Sequence, residues 1–346
     1  MTRPSSGSDR SGSVRSTDPS ASTIVEEERP VRRKRRGRRA VALSILGVLI
    51  LIGAAVAAGF LIVNALVSHV PRVHVGGLPA SGASQTVLIT GSGFLPSGTA
   101  APVASKVQFT GLIMMLHINA GHKAGAVVSI PPQAVVQVPG VGSTKLEDAL
   151  QVGGPTLLVQ TVEQFTHVPI NHYARVDFSH VAKMIDAVGG VDVDIAAAST
   201  SFGHKFQAGT NHLTGVTALY YARDKSVTES ARILRQQNLI RAILFKLADR
   251  HLLTNPTTAV HVLSALTSML TVDSNFSNSA LMSLATQLGS LSGKAGTFLT
   301  VPSHTVGKKV FLDTQVSSQI WQAIKKDKVA AFAQQNQSTV TPSVVP

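Results

Sequence analysis

Arg232 and Gln236 stand four residues apart in the string RILRQQ (Arg232–Gln237). In a helix that spacing puts a guanidinium and an amide on one face. At about 100° per residue, Ile240, Ile243 and Leu247 fall on nearly the same face. The stripe is polar at its start and apolar further along. A helix N-terminus also favours anions, through its unpaired N–H groups and its dipole. Such a face suits an amphiphile with an anionic head. The plainer reading is a core-facing helix whose first turn reaches solvent. A second basic cluster, ALYYARDK (Ala218–Lys225), ends in Arg223, Asp224 and Lys225. It reads as a strand-like run with Arg223 at its end. A surface ion pair between Arg223 and Asp224 is the plain account of that end.

Other chemistry is thin. There is no cysteine, which excludes a disulfide framework and a thiolate metal site. No two of the 12 histidines lie within four residues of each other, so no local metal pair exists. Ser92 in Gly91-Ser92-Gly93 lacks the flanks of a nucleophile elbow and reads as a glycine turn. Trp321 falls in a helix-like segment and reads as a packing residue.

The elements that would position these residues alternate in type. Strand-like runs are 86–90, 111–119, 124–130, 173–178, 191–195, 218–223, 297–301 and 309–312. Helical patterns cover 155–166, 179–188, 228–250, 256–270, 277–288 and 314–326, with Gly289 as a stop past the fifth. That alternation predicts an α/β layered domain with helices covering a mixed sheet.

The ends of the chain differ from this. Residues 1–39 carry 11 Lys/Arg against 5 Asp/Glu, while 67–346 carry 20 against 13. The 1–39 stretch has no apolar periodicity and is predicted to be a disordered basic tail. Residues 40–66 carry no charge, and 40–63 are almost wholly apolar. As a helix those residues would span about 36 Å, enough for a hydrocarbon core of about 30 Å. The flanking run Arg32–Arg39 would hold the N-terminus in the cytoplasm and place the chain beyond residue 67 outside. A cleaved signal peptide is the competing reading, with a shorter apolar core and a shorter basic region than these. The basic run also permits nucleic-acid binding in principle. No helix-turn-helix, zinc finger or stacking aromatic pattern accompanies it, so no nucleic-acid partner is expected. The predicted organisation is a tail over 1–39, a transmembrane helix over 40–66, a linker over 67–84, one domain over 85–328 and a flexible tail over 329–346.

Five strings run in order through that domain: PINHYARVDF (169–178), DAVGGVDVD (186–194), GTNHLTG (209–215), ALYYARDK (218–225) and RILRQQ (232–237). Taken singly, most read as scaffold. Together they resemble the LytR–CpsA–Psr domain. The resemblance implies an α-β-α sandwich with a mixed central sheet, preceded by one transmembrane helix. It implies transfer of a glycopolymer from a polyprenyl-pyrophosphate carrier to peptidoglycan, assisted by Mg²⁺. It makes Arg223, Lys225, Arg232, Arg235 and Gln236 the candidates for holding phosphate, and Ile240, Ile243 and Leu247 the lining of a lipid pocket. The implied partners are a polyprenyl-phosphate lipid, a wall glycopolymer or peptidoglycan, and the membrane.

The sequence departs from the family pattern at its acids. Glycines, Gly93 and Gly111, stand where the family carries two acids. Pro132 and Gln133 stand where it carries an arginine and an acid. Mg²⁺ needs carboxylate oxygens, which glycine does not offer. These losses predict a member that binds its lipid-linked polymer or a wall polymer, with transfer weak or absent. No catalytic residue is assigned. An active phosphotransferase with a metal site rebuilt on other acids, such as Asp224, is the first alternative. A transcription regulator is the second, and the outward orientation argues against it.

Overall fold

The structure, a computed structural model, describes residues 59, 61–92, 111–224, 226–247, 256–291 and 296–346. The expected basic tail, Gly93, Lys225 and most of the expected transmembrane segment lie outside these residues. Among the described residues no helix is long and apolar enough to cross a membrane.

A seven-stranded sheet forms the centre. Its central strands are β2 (Gln85–Ser92), β3 (Ile113–Ile118), β4 (Gly125–Ser129) and β7 (His172–Asp177), with β13 (Gly296–Thr300) on one edge. On the other side stand β12 (Leu270–Asp273) and β1 (Arg72–Val73). The order is β1-β12-β7-β2-β3-β4-β13. β2 runs parallel to β7 and antiparallel to β3, and β4 runs antiparallel to β3 and parallel to β13. The sheet is therefore mixed, as expected. Two small hairpins lie apart from it: β5 (Val135–Val138) with β6 (Gly142–Lys145), and β14 (Ser303–Val306) with β15 (Lys309–Leu312).

Neighbouring residues on the sheet strands bury opposite faces, which makes the strand sequences apolar throughout. Leu88, Met115, Val128 and Tyr173 pack on one side with helix α1 (Leu146–Thr166) and with Ile320, Trp321 and Ile324 of α7 (Thr314–Lys325). Val87, Met114, Leu116, Val127 and Ala174 pack on the other side, with Phe276 and with Leu284 of α6 (Asn278–Leu291). A third cluster joins α2 (Phe178–Ala187), α3 (Gly215–Ala222), β8 (Val191–Ile195), β11 (Gly209–Leu213) and Val262 of α5 (Pro256–Ser268). Helix α4 (Glu229–Leu247) lies between the second and third clusters and feeds both.

Several elements differ from the expectation. Residues 218–222 form helix α3 rather than a strand. Its buried positions are Gly215, Ala218, Leu219, Tyr221 and Ala222, a helical spacing that the β-prone tyrosines mask. Helix α1 starts at Leu146, before the expected Pro155, and breaks at Gly153 and Gly154. Gly289 lies inside α6 and does not stop it. Residues 209–213, absent from the expected strands, form one paired antiparallel with β8. The expected linker is partly built in, because Arg72 and Val73 pair with β12 and Val67, Val70 and Val75 are buried. The expected flexible tail is folded. Helix α8 (Val329–Gln335) buries Val329 and Ala333, and β16 (Val344–Val345) pairs with β8. Two-residue pairings and single buried side chains leave no periodic signal, so composition misreads such segments.

The start of α3 is fixed by close approach to α2. The Gly215 amide donates to Asp186 Oδ1 at 2.8 Å. A methyl group on Gly215 would sit 2.1 Å from the Ala182 carbonyl oxygen. Backbone atoms cannot rotate away, so Gly215→Ala is expected to destabilise the chain by about 1–3 kcal/mol. An unchanged urea midpoint in that variant would show that α3 can slide off α2.

His117 on β3 is buried between Thr86 Oγ1 at 3.1 Å and Asp327 Oδ1 at 2.7 Å. Burial pushes its imidazole below the ordinary value, and the bond and charge of Asp327 pull it back only in part. The folded chain therefore keeps His117 neutral where the unfolded chain takes a proton. Stability should fall as the pH drops below about 6.5, the unfolded value, and level off at the folded value. Urea midpoints at pH 7.5 and pH 5 measure this. The drop between them should be smaller in His117→Gln, and an equal drop would assign it to other groups.

Candidate functional site

Strands β2, β7, β4 and β13 point the same way, so their carboxyl ends share one edge of the sheet. In open α/β sheets ligands bind outside those ends. Ser92 ends β2 opposite Asp177 on β7, and the Gly91 amide reaches the Leu112 carbonyl at 3.1 Å. Ser129 ends β4. The loop from Ile130 to Gln133 comes directly after it, and Gln133 Nε2 donates to Glu147 Oε1 near the start of α1. Gly111, Pro132 and Gln133 thus gather on this edge.

Helix α4 is pinned over the same edge by two consecutive glutamines. Gln236 Nε2 donates to the carbonyl of Gly111 at 3.2 Å and to that of Ala222 at 3.4 Å. Gln237 Nε2 donates to Ser129 Oγ at 2.6 Å and to the Leu299 carbonyl, and its Oε1 accepts from the Thr341 hydroxyl. Both amides are buried. Gln236 was expected to hold phosphate. With both amide hydrogens on backbone carbonyls, it instead holds α4 against the strand ends and against α3.

Arg223 is the C-cap of α3 rather than the end of a strand. Arg232 sits in the first turn of α4, its amide bonded to the Thr228 carbonyl at 2.9 Å. Both side chains are half-buried. Burial lowers the pKa of the Arg223 guanidinium, and the charge of Arg232 lowers it further. Two like charges are thus held together in partial shelter from water. Two half-buried guanidinium groups at the ends of neighbouring helices make this pair the phosphate-binding candidate of the edge.

Arg235 does not join them. It is 1% exposed, with Nη1 on Asp224 Oδ2 at 2.8 Å, Nη2 on Ser199 Oγ at 3.1 Å and Nε on the Pro346 carbonyl at 2.6 Å. Its guanidinium also lies 5.3 Å from the centre of the Tyr221 ring. Every nitrogen of Arg235 therefore has a protein partner, and the expectation that it holds phosphate is corrected to an anchoring role. Asp224 is its counter-ion. Burial by itself would raise the Asp224 carboxyl, but the bonds from Ser226 and the charge of Arg235 outweigh it and hold the group below the usual range. Lys225 lies outside the described residues.

The donor set does not fit Mg²⁺. Gly111 offers only a carbonyl, and that accepts from Gln236. Asp224 Oδ1 accepts two bonds from Ser226, and Oδ2 accepts from Arg235. Among the described residues no group of three His, Asp or Glu side chains could hold a metal ion. A divalent ion needs several oxygen ligands, and among the described residues the carboxylates of this edge, Asp177, Glu147 and Asp224, form no such group.

The expected lipid-lining residues divide between two clusters. Ile240 packs on the sheet cluster, whereas Ile243 and Leu247 pack on the helical cluster. All three are half-buried, so the stripe marks the seam between the clusters. Sequence reasoning missed the anchors Gln237 and Arg241. Arg241 bonds the carbonyls of Thr341 and Pro342 at 2.7 and 2.8 Å. Both partners lie about a hundred residues away, and no local pattern announces such contacts.

Comparison with known proteins agrees with this architecture. The profile of the LytR_cpsA_psr family matches residues 68–338. A polyisoprenyl-teichoic acid–peptidoglycan teichoic acid transferase, TagU of Bacillus mycoides, is 36% identical over 138 residues, which is 39% of this chain and 45% of TagU. The probable cell wall biosynthesis protein LcpB of Corynebacterium glutamicum is 36% identical over 151 residues, 42% of this chain and 36% of LcpB. The chain thus spans less than half the length of these curated relatives. The solved LytR-Csp2A-Psr enzyme from Actinomyces oris shares the fold at a TM-score of 0.59 and 18% identity, over 73% of this chain and 95% of that one. The profile covers most of the chain and the sheet order is mixed as the fold requires, so the chain belongs to the LytR_cpsA_psr family.

Proposed function

We propose that this chain binds a polyprenyl-pyrophosphate-linked wall glycopolymer through Arg223 and Arg232, and that its transfer to peptidoglycan is weak. The observation that carries this reading is the placement of Arg223 at the end of α3 and of Arg232 in the first turn of α4, the helix that Gln236 and Gln237 hold over the carboxyl edge of the sheet. The relatives include a teichoic acid transferase by name, which supports the ligand class. The half-buried seam at Ile240, Ile243 and Leu247 is the candidate path for the lipid tail. Gly93 and Gly111 stand in place of acids in this reading, which weakens Mg²⁺ binding and with it transfer. In this reading residues 40–66 anchor the chain in the membrane, with the N-terminus in the cytoplasm and the domain outside.

The test uses the full chain in detergent with geranylgeranyl pyrophosphate and with a lipid-pyrophosphate-linked glycan. Binding that is insensitive to Mg²⁺, with little release of polyprenyl phosphate, is the expected result. Mg²⁺-dependent turnover lost in Arg232→Ala would overturn the weak-transfer part and favour a rebuilt metal site. No binding of either probe would overturn the whole reading. A C-terminal reporter that works only in the cytoplasm tests the orientation, and activity from it would reverse the assignment.

A further inference from the structure

Phe202 is an exposed aromatic held in a strained backbone. It sits in the turn between β9 (Ser199–Ser201) and β10 (His204–Phe206), with φ of 49° and 52% of its surface open. Bulky side chains rarely adopt that region. Its ring stacks on Tyr220 with centroids 5.3 Å apart and planes 24° from parallel. Tyr220 is on α3, three residues before Arg223, the C-cap of that helix.

The turn is tied to the two helices that carry the arginine pair. Ser201 Oγ donates to the Tyr220 carbonyl at 2.9 Å. Ser199 Oγ accepts from Arg235 Nη2 on α4 at 3.1 Å. Isolated surface aromatics are ordinary and need no explanation. This one is stacked, strained and pinned at both ends of its strand, and its stacking partner Tyr220 comes three residues before Arg223.

We infer that Phe202 and Tyr220 form a sugar subsite, which stacks the pyranose attached to the phosphate held by Arg223 and Arg232. The proposal rests on the phosphate reading above. A pyranose presents an apolar face of C–H groups one bond beyond its phosphate. An aromatic surface is the chemistry that covers such a face without a fixed hydrogen-bond pattern. The subsite therefore selects for a ring next to the phosphate more than for its substituents.

The experiment compares two probes on the full chain, geranylgeranyl pyrophosphate and the same lipid pyrophosphate carrying N-acetylglucosamine. Asparagine tolerates positive φ, so Phe202→Asn removes the ring while keeping the turn. This variant should hold or raise the melting temperature. It should bind the sugar-bearing probe about tenfold more weakly, and the plain pyrophosphate as well as the wild type does. Phe202→Trp should restore the difference. Equal affinity of Phe202→Asn and wild type for the sugar-bearing probe would overturn the subsite, as would equal weakening for both probes. If the wild type binds neither probe, the phosphate reading fails and the subsite falls with it.

Discussion

Arg235→Met is expected to destabilise the folded chain by about 3–5 kcal/mol, the cost of stripping one partner from a buried ion pair. Methionine fills much of the arginine's volume, so the loss is electrostatic more than steric. It leaves the Asp224 carboxylate, itself buried, without the guanidinium 2.8 Å away. It also releases Ser199 Oγ and the Pro346 carbonyl, which unpins the β9 turn and the C-terminal strand from α4. Trp321 is the single tryptophan and is buried in the core, so its fluorescence reports guanidinium unfolding. Adding Asp224→Leu to Arg235→Met should recover most of the loss, because no buried charge is then left alone. A single variant as stable as the wild type would show that water reaches Asp224 and that the pair is not a closed anchor.

The second large effect is on affinity. Arg232→Ala should weaken pyrophosphate binding by about 1.5–3 kcal/mol, roughly 10- to 100-fold, the range for a hydrogen bond to a charged group. Folding should suffer little, because Arg232 is half-buried and its removal relieves the charge that depresses Arg223. Thus Arg232→Ala should separate binding from stability, whereas Arg235→Met should move both. Arg232→Lys keeps the charge but loses the planar fork, and should fall between alanine and wild type. Isothermal titration with geranylgeranyl pyrophosphate at low and high salt measures this. If Arg232→Ala binds like the wild type, the phosphate is held elsewhere.

The layers of the fold were legible in the residues alone. Short apolar runs such as IMMLHI on β3 read as strands buried on both faces, and the helical patterns between them as the layers that cover a sheet. The i, i+4 spacing of Arg232 and Gln236 correctly put both on α4. The family strings pointed to Arg223 and Arg232, which the fold brings together although they belong to different helices. What each polar group does was set by packing. Arg235 and Gln236 look like ligands in RILRQQ, yet their donors end on Asp224, Ser199 and backbone carbonyls outside that string. Burial decides this. A polar side chain inside the fold must find protein partners, and the nearest ones come from whichever strand or tail packs there. For the same reason the last residues, which read as a loose tail, became the strand that closes over Arg235. Residue type records what a side chain can bond to; only the packing of distant segments settles what it does bond.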